Sequence, residues 1–215
     1  MLLDLPSNRD EGWRWSDLSA LPEIAARGPA RTVSSHQLHQ LPWIDCTTPG
    51  PRLLFIDGKL DEAQSDLGPL SVGDVDADPG DHPLARQIGR TAWRLALGRY
   101  HAPAGHVQIV HVTTGGADHL PASIELDADA QASVVETFVG EGWANRLTQM
   151  RLATGARLML ARRMLGTDGF VSLTDFADVG EGASLVVGNL AAGGTDTRLD
   201  GRITLTGEAA FTEVG

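Results

Sequence analysis

The fold turns on Ile124-Glu125-Leu126-Asp127-Ala128-Asp129-Ala130-Gln131-Ala132-Ser133-Val134: an alternating stretch, a corner of small and acidic residues, and a second alternating stretch. The pattern recurs three times. With Ala130 as the first anchor, Ala156, Ala183 and Ala209 follow at spacings of 26, 27 and 26 residues. Six residues before the anchors stand Ile124, Met150, Ala177 and Ile203; four before stand Leu126, Leu152, Val179 and Leu205. Two after stand Ala132, Leu158, Leu185 and Phe211; four after stand Val134, Leu160, Val187 and Glu213. Alternation is the period of a half-buried strand, and small residues suit a sharp corner. Repeats of this length predict a solenoid, in which a coil hides its inner face only by stacking on the next. The coils are too long for hexapeptide units. The predicted fold is therefore mainly β, a right-handed parallel β-helix, with an antiparallel sandwich as the competing arrangement. Glu213 in an apolar column predicts an irregular last coil. No helix or polar segment in the sequence covers that end, so a cap is expected from further chain or from another protein.

Outward from the repeat, the chain divides near Tyr100–Gly105. Residues 101–215 form the β-helix, and residues 1–100 a small helical or mixed N-terminal domain holding four of the five tryptophans. Ser16 to Ala26 reads as one or two helical turns capped by Ser16, with Pro22 interrupting or restarting them. Arg52 to Ile56 reads as a strand closed by the turn Asp57-Gly58. Residues 57–81 carry eight acids and one base and read as a solvated loop. Leu84, Ile88, Ala92, Leu95 and Ala96 recur at helical spacing after Pro83, with Gly98 as a C-terminal cap, and Arg86, Arg90 and Arg94 form a basic stripe on that helix.

Composition narrows the function. The 215 residues carry a formal charge of −11, which disfavours the phosphate backbone of nucleic acids. One cysteine, Cys46, excludes within one chain a disulfide framework, a four-cysteine zinc site and a four-cysteine iron–sulfur site. No apolar run approaches a membrane span, and Met1 to Arg9 has no signal pattern, so a cytoplasmic protein is expected.

Searching for chemistry finds no G-x-S-x-G elbow, phosphate loop or dinucleotide fingerprint. Asp74, Asp76 and Asp78 mimic a calcium loop, but Pro79 occupies the glycine position and Ala85 the glutamate position. His36, His39 and Cys46 match no common metal spacing. His101, His106 and His111 fall on neighbouring turns or strands. His111, between Val110 and Val112, is expected to face away from them as a surface or hydrogen-bonded side chain. Glu125, Asp127 and Asp175 are candidates for a carboxylate pair acting on carbohydrate, the alternative function; such a pair needs about 5–9 Å between groups. No catalytic residue and no metal site is assigned.

The N-terminal string Leu5-Pro6-Ser7-Asn8-Arg9-Asp10-Glu11-Gly12-Trp13-Arg14-Trp15-Ser16-Asp17-Leu18 resembles the start of the SufD family, with Arg9, Glu11, Trp13, Trp15 and Asp17-Leu18 in the matching places. The second region is similar too, through Ile109-Val110-His111-Val112, Ile124-Glu125-Leu126, Ala132-Ser133-Val134-Val135-Glu136, Asn145-Arg146-Leu147-Thr148 and Gly155-Ala156-Arg157-Leu158. The resemblance covers most of the chain and is weakest over 27–80. It implies a non-catalytic scaffold of the Suf iron–sulfur assembly machinery: a small helical domain, a right-handed β-helix and a C-terminal helical segment. It further implies pairing with SufB through the β-helices and binding of the ATPase SufC. The iron–sulfur cluster would form at the SufB interface from a SufB cysteine and a late histidine, and flavin belongs to the implied complex. That histidine and the SufC-docking helices would follow residue 215, so no cofactor-binding residue is assigned here and the β-helix is expected to be truncated.

Overall fold

The computed structural model describes residues 3–7, 9–29, 33, 40–165, 168–193 and 196–215. The order is a 3-10 turn at Glu11–Trp13, α1 (Leu21–Ala26), β1 (Arg52–Ile56), β2 (Lys59–Leu60), a 3-10 turn at Glu62–Gln64 and β3 (Leu70–Asp74). A 3-10 turn at Ala85–Gln87 precedes β4 (Thr91–Leu97), β5 (Val107–Leu126), β6 (Gln131–Leu152), β7 (Arg157–Leu165), β8 (Asp168–Val179), β9 (Ser184–Ala192), β10 (Asp196–Leu205) and β11 (Phe211–Val214).

The chain is a parallel β-solenoid. β5 and β6 pair along both their arms, through a register shift between Thr114 and Ala117. β1 and β4 stack in parallel on the two arms of β5, β7 and β8 on those of β6, then β9 on β7, β10 on β8 and β11 on β9. The predicted columns are the observed register: Ile124, Met150, Ala177 and Ile203 lie in line, as do Leu126, Leu152, Val179 and Leu205. Alternation sends these side chains inward, where they meet Val134, Leu160 and Val187 from the opposite arm in one core.

The corners show why the repeat anchors are small. Ala130, Ala156 and Ala183 are fully buried, and each N–H closes a tight turn onto the carbonyl three residues back. The residue before each anchor is left-handed: Asp129 (φ 61°), Gly155 (70°) and Gly182 (61°). The fourth corner is one residue longer. Ala209 takes the left-handed position (φ 54°), and Ala210 is the true anchor. The last strand therefore slips by one against the expected columns. Phe211 pairs with Ser184 and faces outward, Val214 pairs with Val187, and Glu213 leaves the apolar column.

Several expectations are corrected. Residues 83–98 are not a helix: only Ala85–Gln87 turns, and β4 follows. Trp93, Leu95 and Leu97 point into the solenoid against Ala122, Ile124 and Leu126. Long-range pairing overrides the helical spacing, because Leu95 fits both periods. The arginine stripe dissolves with the helix; Arg94 instead faces outward onto Glu125 at 2.6 Å. The acidic segment 57–81 is not only loop, since β2 and β3 lie within it. The solenoid also reaches across the Tyr100–Gly105 boundary, because β1 and β4 belong to its sheet. Among the described residues, helix near the N-terminus is limited to the six residues of α1 and single 3-10 turns. Its N-cap is Ala20, and Pro22 sits in its first turn. The Asp57-Gly58 turn is as expected, with φ 46° and 73° joining β1 to β2 as a hairpin.

The N-terminal segment fastens onto the solenoid's far end. Arg198 of β10 donates to Ser16 Oγ at 2.6 Å and to the Gly12 carbonyl at 3.0 Å, and lies 3.6 Å above the Trp13 ring. Asp200 accepts from Arg198 and pairs with His82 at 3.0 Å. Trp13, Leu18 and Leu21 pack with Leu84, Trp143 and Phe170 in a second apolar cluster.

Candidate functional site

The solenoid interior contains a layer that is not apolar. One residue row reads Ile109, Glu136, Arg162, Asn189 along the stack, and the row on the facing arm reads Ala122, Thr148, Asp175, Gly201. Arg162 joins the two arms. Its Nε donates to Glu136 at 2.9 Å, its two terminal nitrogens grip Asp175 at 2.6 and 2.7 Å, and one of them also donates to Thr148 at 3.0 Å. Glu136 holds His111 at 3.2 Å, and the imidazole lies between the rings of Phe55 and Phe138 at 5.5 and 4.8 Å. One rung away, Arg146 donates to Asp118 at 2.6 Å.

Burial alone would raise the Glu136 pKa. Its hydrogen bond to His111 and the Arg162 charge outweigh that and hold it down at about 2. Burial, aided by the Arg146 charge, lowers the His111 pKa as well, against the opposing pull of Glu136 and Asp118. His119 is likewise lowered to about 4 by burial, with Arg146 adding to it against the pull of Asp118. Its Nδ1 faces the amide of Asn145 at 3.1 Å. The buried layer is a structural ion network, with Asp175 its one partly solvated member.

His111 was expected on the surface or in a hydrogen bond, turned away from its apolar neighbours. The hydrogen bond is there, but the side chain is wholly buried, because Val110 and Val112 are buried as well, beneath residues 41 and 43. Both faces of this strand are covered. His106 bonds Ser133 at 2.8 Å and is exposed, as is His101, so the three histidines do not converge. Cys46 is a half-buried free thiol. His36 and His39 lie outside the described residues. Among the described residues no group of three or more His, Cys, Asp or Glu side chains is placed to hold a metal ion.

The carboxylate candidates are not brought together. Glu125 faces outward on the sheet of β4, β5, β6, β8 and β10, paired with Arg94. Asp175 faces inward from the same sheet, onto Arg162. Asp127 sits in the corner, where its carbonyl accepts from Ala130.

The open last coil stands apart from the buried layer. Leu199, Leu205 and Val214 occupy inward columns, yet are 45%, 49% and 59% exposed because no described strand pairs with the outer edges of β10 and β11. No helix among the described residues is long and apolar enough to cross a membrane. No family model and no curated protein matches the chain.

Sequence reasoning missed Glu136, Arg162 and Arg146. For Glu136 and Arg162 the signal was present in the repeat itself, whereas Arg146 stands in a column with Leu120, Leu173 and Leu199. Six residues after the anchors stand Glu136, Arg162 and Asn189, a polar column at a parity where Val134 and Leu160 are apolar.

Proposed function

We propose that this chain is a non-catalytic scaffold subunit of the SufD type, cytoplasmic, pairing with a SufB-like partner through the last coil of its solenoid. The observation that carries the reading is the last described coil: Leu199, Leu205 and Val214 point inward yet are exposed, on strands β10 and β11 whose outer edges no described strand pairs. Apolar side chains and edge amides together favour a second β-structure laid against them. The buried ion network gives the solenoid a rigid body on which such a partner can act. In this reading SufC docks on the pair, and the iron–sulfur cluster is the product assembled at the SufB interface rather than a group resident in this chain.

Co-expression with SufB and SufC, followed by mass measurement of what co-purifies, tests it. A complex containing SufB, lost in Leu199→Asp or Val214→Asp, is the expected outcome. A soluble monomer that ignores both partners overturns it.

A further inference from the structure

The outer face of the sheet formed by β1, β5, β6, β7, β9 and β11 is covered along only part of its length. Over β1 and β5 lies an extended segment, residues 41–46. Its Leu41 and Trp43 pack on Leu54, Val110 and Val112. Its main chain is gripped by side chains of the sheet. The Ile44 N–H donates to Gln108 Oε1 at 2.7 Å, and Gln108 Nε2 donates back to the Ile44 carbonyl at 2.9 Å. Arg163, reaching from β7, donates to the Pro42 carbonyl at 2.6 Å. The segment also carries Asp45, and Arg52 lies 5.7 Å from the Trp43 ring. The molecule thus shows how this face holds a strap: apolar side chains on the sheet, carbonyls on arginine and glutamine.

Beyond the strap no described segment lies over the same face. Met159 and Leu190 are more than half exposed, Phe211 is half exposed, Val186 is half-buried, and open space lies over Gly188. All five point outward, since their neighbours Leu158, Leu185 and Val187 fill the core. A contiguous apolar face of this kind marks an interaction site. Its rim is basic on a chain of charge −11: Arg157 and Arg163 stand there, with Glu213 as the acid. Arg157 has no ion-pair partner among the described residues.

We infer that the outer face of β7, β9 and β11 is a second strap site, which takes an extended apolar segment of a partner protein flanked by acidic residues. The surface is continuous with the strap contact of residues 41–46, and Arg163 already stands between the two. The basic rim selects acidic flanks. The site uses the outward side chains of β11, whereas the proposed SufB contact uses its inward Val214 and its edge, and the test does not require SufB.

The probe is a synthetic peptide copying residues 41–45, extended by two aspartates, titrated into the methyl-labelled full chain. Saturable shifts at Met159, Val186 and Leu190 are expected. Arg157→Glu should weaken binding about threefold, the size of one exposed charge contact. Met159→Glu should abolish the shifts while leaving the thermal midpoint in place, since its side chain is already in water. The same peptide ended by two lysines should bind more weakly, a comparison that needs no variant. Four results overturn the inference: no saturable shift; shifts confined to Leu54 and Val110, which would mean displacement of the chain's own strap; equal binding of the lysine peptide; or self-association broken by Met159→Glu, which would make the occupant a second copy.

Discussion

Val187 and Val214 are the same residue in the same column of the solenoid, one coil apart, yet one is 2% exposed and the other 59%. Leu173 and Leu199 repeat the contrast on the other arm. Neither side-chain type nor strand alternation differs between the members of each pair. What differs is the coil above. In a solenoid the inner face of a strand becomes core only when another strand is laid over it, so an identical pattern is interior in the middle coils and exposed where no described strand follows.

The sharpest way to break that comparison is to remove the charge at the centre of the middle coils. Arg162→Met leaves Glu136 and Asp175 without their shared cation and should cost about 3–5 kcal/mol in denaturant unfolding. Adding Glu136→Leu and Asp175→Leu should restore most of it, because an apolar layer needs no pairing. A cost below about 1 kcal/mol for the single variant would show that water reaches the layer and that the middle coils are not closed.

The paired truncations come next. Leu173→Ala, in the closed coil, should destabilise by about 2–5 kcal/mol, and Leu199→Ala, in the open one, by well under about 1 kcal/mol. Equal losses would mean that the last coil is covered in solution.

Acid should act on the closed region first. His119 has a folded pKa of about 4, below its unfolded value near 6.5. Its unfolded form therefore binds protons more readily between those values. The stability from burying the neutral ring is complete above about pH 6.5 and lost as pH falls toward 4, a slope worth up to about 3 kcal/mol. Glu136, lowered to about 2, adds a second loss from near its unfolded pKa of about 4.5 downward. Unfolding midpoints across pH 7 to 4 should fall, and less steeply in His119→Gln.

The smallest effect lies at the corners. Gly155 and Gly182 hold the left-handed position at little cost, whereas Ala209 holds it with a Cβ. Ala209→Gly should stabilise the last corner by about 0.5–1 kcal/mol, read by hydrogen exchange at Phe211 and Thr212. No change there would mean the extra residue relaxes the corner.

The repeat was legible because each coil writes the same columns in the chain, and register follows from the columns: Ile124 to Ile203 align as spacing alone predicts. The slip at Ala209 was not, because alanine stands at both 209 and 210 and only backbone geometry separates corner from anchor. β4 was not legible either. Leu84, Leu95 and Ala96 satisfy a helical period locally, and the choice between periods is made by Ala122 and Ile124, about thirty residues away. The buried ions were written in a column but looked like surface residues, because Glu and Arg are seldom wholly buried unless they are paired. The bare outer face left no local signal: Met159, Leu190 and Phe211 sit far apart in sequence, and only stacking brings them together.

The contact between Arg198 and Ser16 has a consequence for the order in which the protein is made. Its two ends are 182 residues apart, so the segment carrying Ser16 waits until β10 has been made before it finds this place. Until then Trp13, Leu18 and Leu21 have Leu84, Trp143 and Phe170 to lean on as each appears, but not the Arg198 fastening. The coils can stack one by one as they appear, each on its neighbour. The N-terminus then works as a drawstring, pulled tight when β10 arrives.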